Sequence, residues 1–186
     1  MDDEGRETWI RAGLAQLARG GVDSVRVEVV AASLGVTKGG FYRRFKNRQN
    51  LLDAMLIFWS AGRIGSIEQQ TQLDGAGARE RLRSLISLYS ERRNAEAMRI
   101  ELAIRQWAQS DPAAAEAVME VDGARLRNVA RLYGVMGMPA AAARAQAFLF
   151  YAFLFGQSLL FVDVGVSKRK HMLAACSTVL TNGEPT

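Results

Sequence analysis

Residues 27 to 46 read Val-Glu-Val-Val-Ala-Ala-Ser-Leu-Gly-Val-Thr-Lys-Gly-Gly-Phe-Tyr-Arg-Arg-Phe-Lys, and this stretch decides the architecture. Val27, Val30, Ala31 and Leu34 recur at helical spacing and give a short helix one apolar face. Gly35 ends that helix, because glycine enters the left-handed turn conformation without a Cβ clash. Thr37 stands as the N-cap of a second short helix that reaches about Phe45. Two short helices joined by a glycine turn make a helix-turn-helix, built here from residues 26 to 46. Val36, Phe41 and Phe45 are expected to seat the second helix on the first, and Gly39 and Gly40 to let its backbone approach a groove closely. Lys38, Tyr42, Arg43 and Arg44 are then left on or near an outer face thin enough for a DNA major groove.

Charge supports this placement through its distribution more than its total. The 186 residues carry 24 Lys and Arg against 19 Asp and Glu, a net charge of +5. Between Gly35 and Asn50 stand Lys38, Arg43, Arg44, Lys46 and Arg48 without one acid among them. A basic cluster on the second helix of a helix-turn-helix is the electrostatic footprint of a nucleic-acid site.

Outward from the motif, every segment reads as helix and no clear run alternates with period two. Residues 2 to 19 form a first helix with Ile10, Leu14 and Leu17 as its stripe and Trp9 beside it, ended by Gly20-Gly21. Asn47 caps a fourth helix carrying Leu51, Leu52, Met55, Phe58 and Trp59. Gly62 and Gly65 each cost about 1 kcal/mol relative to alanine in a helix, and mark a fraying end or a bend. The segment from Leu73 to Gly77 is the candidate boundary. A fifth helix follows with Leu82, Leu85, Ile86 and Tyr89, and a sixth over 94 to 109. Asp111-Pro112, a cap and a first-turn proline, starts a seventh. Pro139 opens an eighth, and residues 168 to 180 suggest a ninth. The expected fold class is all-α, with a helix-turn-helix three-helix DNA-binding domain at 1–60 and a second helical domain at 61–186.

Phe148, Leu149, Phe150, Tyr151, Phe153, Leu154 and Phe155 cover every side of the eighth helix, and a helix apolar all round is buried all round. Either one side packs the chain's own core and the other meets a partner chain, or the whole helix completes the monomer. Ala145 to Val162 is marginal for the ~20 apolar residues of a membrane span and contains Gln146, Gln157 and Ser158, so no membrane association is expected. Cys176 is the one cysteine, which rules out an intramolecular disulfide and a cysteine-based zinc site. Asp2-Asp3-Glu4 has the wrong charge for a secretory signal, and a cytoplasmic location is expected. His171, the single histidine, has no second ligand at metal spacing. No phosphate loop, nucleophile elbow or metal-binding histidine pair is present, so no enzyme, catalytic residue, metal or cofactor is expected. Glu101 with Arg105, and Asp122 with Arg125, read as surface ion pairs worth about 0.3–0.5 kcal/mol each. The alternative is that they line a polar part of a pocket.

Val30-Ala31, Leu34-Gly35-Val36-Thr37-Lys38-Gly39-Gly40-Phe41-Tyr42, Phe45, Asn47 and Leu51-Leu52 together resemble the DNA-binding domain of the TetR family of transcriptional regulators. Trp9 and Trp59 also sit where many members carry tryptophan. The resemblance covers about residues 6 to 60. Glu101 to Asp111-Pro112 and Asp122 to Arg125 more weakly resemble the family's C-terminal ligand-binding and dimerisation domain.

The resemblance implies roles. Tyr42 and Thr37 hold phosphates, Thr37 also capping its helix. Lys38, Gly39, Gly40 and Arg44 face base edges, Arg43 serves bases or backbone, and Arg48 reaches a phosphate. Arg26 stands where the family often has a Thr or Ser cap, yet keeps the capacity to bind phosphate. Glu28 brings a negative charge close to the DNA or points away. A homodimer through the last two helices, Phe148 to Phe161 and Lys168 to Leu180, is implied, with double-stranded DNA carrying a near-palindromic operator as partner. An unidentified small-molecule effector is implied among helices five to eight, with Tyr89, Met98, Leu102, Trp107 and Phe153 as wall and Arg105 as polar anchor; its binding is expected to release a repressor from DNA. Three other classes stay in view: an architectural DNA-binding protein without an effector, a helical enzyme, and a peripheral membrane protein using the Phe-rich helix.

Overall fold

The computed structural model describes residues 3–73, 77–90, 95–160 and 165–182. Among these residues the regular structure is entirely helical. The helices are α1 (Asp3–Gly20), α2 (Val27–Ser33), α3 (Lys38–Tyr42), α4 (Arg48–Thr71), α5 (Ala78–Ser90), α6 (Ala95–Trp107), α7 (Pro112–Val135), α8 (Ala140–Leu159) and α9 (Gly165–Asn182). A single 3-10 turn, Val22–Ser24, lies between α1 and α2. Residue 2 of the expected first helix, residue 94 of the sixth, residues 74–76 of the candidate boundary and Phe161 of the expected dimer helix lie outside the described residues.

The caps fall where their residues demand. The Asn47 side chain accepts from the Asn50 amide at 2.9 Å and starts α4, and Asp111 accepts from the Ala114 amide at 2.9 Å ahead of α7. Each satisfies an amide that has no partner within the helix. Of the fraying end or bend expected at Gly62 and Gly65, the fraying end is not found: α4 continues to Thr71. Its far end is anchored by Ile67 and Thr71, both buried. The Thr71 hydroxyl donates to the Ile67 carbonyl at 2.8 Å, and Arg131 donates to the Thr71 carbonyl at 3.1 Å. Tertiary anchoring outweighs the propensity cost of two glycines.

The chain forms two compact units, Met1–Arg63 with Asn94–Val121, and Ile64–Arg93 with Asp122–Thr186. α6 therefore packs with the N-terminal helices, in contact with α1, and α4 and α7 each contribute to both units. The first unit buries Trp9, Ile10, Leu14 and Leu17 of α1 with Leu51, Met55 and Trp59 of α4 and Ile104 and Trp107 of α6. Glu101 is buried too. Its carboxylate lies 2.9 Å from Arg105 and 3.4 Å from Arg63 of α4. The surface pair expected from i,i+4 spacing is thus built on a buried carboxylate, which the partly buried Arg63 of α4 also reaches.

In the second unit Leu82, Leu85 and Ile86 of α5 meet Val129, Leu132 and Tyr133 of α7 and Ala147, Phe150, Tyr151 and Leu154 of α8. The Tyr133 hydroxyl donates to the Leu180 carbonyl of α9 at 2.8 Å, and burial pushes its pKa above the ordinary phenol value. Arg125 is also buried. Its guanidinium lies 5.1 Å from the Phe155 ring centre and 5.9 Å from that of Tyr151, with Asp122 at 3.0 Å. That cation–aromatic cluster replaces the second expected surface pair. α8 is buried on one side only: Phe148 and Leu149 stay 64% and 55% exposed. No helix among the described residues is long and apolar enough to cross a membrane.

Candidate nucleic-acid interface

α2 ends in a paired-hydrogen-bond turn. Gly35 has φ +66°, its amide donates to the Ala32 carbonyl, and the Val36 amide reaches back to the Ala31 carbonyl, each at 3.1 Å. This closure requires the left-handed conformation at Gly35. It redirects the chain so that α3 packs on α2. Val30 and Ala31 form the buried face of α2, with Val27 and Leu34 only partly covered.

The seat of α3 is aromatic. Phe41 is fully buried and stacks on Phe45 at 5.3 Å, with Trp9 edge-on at 5.4 Å. Burying one phenylalanine side chain contributes about 1.5–3 kcal/mol, enough to hold a helix too short to be stable alone. Val36, expected to share this seat, is 47% exposed, since the turn carries it past the packed face. Tyr42 is 62% exposed, its ring edge-on to Phe41 at 5.2 Å and its hydroxyl end outward.

Around Tyr42 the expected contact residues separate into two groups. Arg26, Thr37, Lys38, Gly39 and Arg43 are exposed, as is Lys46, and Gly40 is partly covered by Trp9. Thr37 and Arg26 hold extended backbone ahead of their helices, but neither side chain makes a capping bond. The expected Thr37 cap is thus a backbone cap only. Lys38 pairs with Glu28 of α2, both side chains exposed. A hydrogen bond from Lys38 holds the Glu28 carboxyl below its usual pKa, so the pair persists at neutral pH and is lost as pH falls through that lowered value. Glu28 thus neither points away nor stands alone: it offsets the charge of Lys38.

Arg44 and Arg48 turn inward. Arg44 Nη1 donates to the Gly40 carbonyl at 3.1 Å, and its guanidinium presses so closely on Gly5 of α1 that a Cβ there would lie 2.5 Å from Nη2. Its Nε is buried without a partner. Arg48 Nε donates to the Val25 carbonyl at 2.7 Å, and Nη2 to the Val22 carbonyl. Both arginines therefore brace the motif: Arg44 against α1, Arg48 against the turn before α2. Carbonyls at and after the 3-10 turn draw donors of Arg48, the residue for which the resemblance implies a phosphate contact. Gly5 gave no sequence signal, because its role depends on a side chain 39 positions away.

The six expected effector residues divide between the units. Met98, Leu102, Arg105 and Trp107 lie in the first, with Trp107 buried and the others partly buried; Tyr89 and Phe153 lie in the second, partly buried in its core. None of the six lines the cavity of about 430 Å³ that the first unit contains. Among the described residues no group of three His, Cys, Asp or Glu is placed to hold a metal ion.

The family model for bacterial regulatory proteins of the tetR family matches residues 10–55. Solved structures share the fold of the chain. A TetR-family regulator from Mesorhizobium loti MAFF303099 has 17% identity over 96% of this chain and 95% of its own, with a TM-score of 0.69. A protein from Saccharomonospora viridis, solved in complex with choline, has 16% identity over 93% and 95%, with a TM-score of 0.74. Salmonella enterica GusR has 15% identity over 97% and 96%, with a TM-score of 0.72. At such identities the likeness is one of fold. No curated protein matches the chain.

Proposed function

We propose that the chain, whose residues 10–55 match the family model of bacterial tetR-family regulatory proteins, is a DNA-binding transcriptional regulator that acts as a repressor and is released from its operator by a small-molecule effector. The observation that carries the reading is the outward presentation of α3, with Tyr42 and Arg43 exposed on a helix whose other side is pinned by Phe41. Tyr42 and Thr37 serve as phosphate ligands, Lys38 approaches base edges, and Arg26, Arg43 and Lys46 add phosphate contacts. Arg44 and Arg48 act by holding the motif's shape. The protein works as a binding module in the cytoplasm, with no reaction of its own.

A homodimer is part of this proposal. Phe148 and Leu149 of α8 and Met172 and Val179 of α9 are exposed apolar side chains, and pairing α8 and α9 with a second copy removes them from water. Two heads roughly 34–36 Å apart then enter successive major grooves on one side of the duplex. Selection of bound DNA from a random pool tests the reading. Enrichment of a near-palindrome with half-sites about one helical turn apart supports it. Recovery of unselected sequence points to an architectural role instead.

A further inference from the structure

The cavity in the first unit lies among α1, α4 and α6, and none of the six expected effector residues lines it. Its volume, about 430 Å³, falls within the range of small-molecule sites, roughly 300–1,000 Å³. Leu14, Phe58 and Ile100 supply an apolar wall. Arg11 and Arg63 stand on its wall with one acid, Glu96; Arg11 is already paired with Glu7 on the exposed side of α1 at 2.6 Å, which leaves Arg63 as the cation for an incoming anion. Glu96 is exposed, so solvent and salt weaken its repulsion of an anion. The Arg11 guanidinium lies 4.8 Å from the Phe58 ring centre, which fixes it over the apolar wall.

Arg63 has a second connection. It reaches Glu101 of α6 at 3.4 Å, whereas Arg105 holds the same carboxylate at 2.9 Å. A buried carboxylate that loses its sole partner costs several kcal/mol. Glu101 keeps Arg105, so a second carboxylate can take its place beside Arg63 without that cost.

We propose that this cavity binds a small organic acid, its apolar body against Leu14, Phe58 and Ile100, its carboxylate exchanging with Glu101 as the partner of Arg63. The exchange removes an ionic tie between α4 and α6. α4 begins at the Asn47 cap directly after the helix-turn-helix, so the tie and the DNA-binding motif share one helix. This consequence for DNA rests on the effector-released reading; occupancy of the cavity does not.

The full-length protein is titrated calorimetrically with three probes of one shape: 4-phenylbutyrate, 4-phenylbutan-1-ol and 4-phenylbutylamine. The acid is expected to bind roughly 10- to 100-fold more tightly than the alcohol, the gain from one charge-assisted hydrogen bond, and the amine most weakly. Arg63→Gln removes the acid's advantage and leaves the alcohol's affinity unchanged, which also shows that the variant is folded. Ile100→Trp fills the cavity and abolishes binding of all three. Equal affinity of acid and alcohol, an acid preference that survives Arg63→Gln, binding that survives Ile100→Trp, or no binding of any probe at millimolar concentration overturns the site. The affinity for selected DNA is measured separately. DNA release by the acid in the wild type but not in Arg63→Gln supports the coupling. Acid binding with undiminished DNA affinity upholds the site and overturns the coupling, while failure to bind DNA without any probe would reject the regulator reading alone.

Discussion

Replacing Glu101 by glutamine keeps its volume and removes one charge from a buried cluster of three. Glu101 keeps 2% of its side-chain area exposed, Arg63 23% and Arg105 25%. Breaking one side of a buried ion pair costs about 3–5 kcal/mol. Solvent at the two arginine side chains, about a quarter exposed, moves the expectation to the lower end, about 3 kcal/mol. With a urea m-value near 2 kcal/mol/M, this lowers the unfolding midpoint by about 1.5 M. Tryptophan fluorescence is the proper probe. The chain has three tryptophans, and Trp9, Trp59 and Trp107 are all buried in the first unit, so the signal follows the unit that holds the cluster. Glu7→Gln is the control: it removes an i,i+4 partner of Arg11 on a surface where both side chains are about half exposed, and no measurable change is expected. A midpoint for Glu101→Gln as close to wild type as that of the control would refute the reasoning and return Glu101 to the status of a surface ion-pair partner.

Tyr42→Phe should leave the melting temperature unchanged, since the ring keeps its contact with Phe41, and should weaken operator binding in fluorescence anisotropy by roughly 10-fold or more, the loss of a hydrogen bond to a charged phosphate. Glu28→Gln releases Lys38 from its acidic partner; operator affinity at fixed salt should rise, and an unchanged affinity would show that Lys38 makes no contact with the duplex. Phe148→Glu places a charge on the exposed side of α8. Sedimentation should then show monomers with the thermal transition of the second unit retained, and a persistent dimer would move the interface elsewhere.

The parts of the fold legible in the sequence are those governed by local chemistry. Gly35 had to be a left-handed turn, Asn47 and Asp111 had to be caps, and the Phe41–Phe45 pair had to face inward. These depend on neighbours within a few residues. What escaped depends on distant ones. Gly62 and Gly65 read as a helix end because the anchors of Thr71 lie on α7. Glu101 reads as exposed because spacing along α6 carries no sign of the helices packed against it. The bracing bonds of Arg44 to the Gly40 carbonyl and of Arg48 to the Val25 and Val22 carbonyls were not legible either, because composition registers a cation without showing which carbonyls it meets. Arg125, three residues from Asp122, reads as a surface residue, and only the rings of Tyr151 and Phe155, about 30 positions on, make it a core cation. The outward tyrosine and the exposed cations of the motif were legible, since burial of Phe41 leaves Tyr42 nowhere else to point.

Affinity for selected operator DNA across a salt series tests the central claim most directly. Arg26, Arg43 and Lys46 are exposed on each head, and a duplex received by two heads should release counterions at that many phosphates. The expected slope of log affinity against log salt is about −5 for a dimer, and it should flatten by about 1.8 in Arg43→Ala. A slope near zero, or one that Arg43→Ala does not alter, would contradict docking through the outward face of α3.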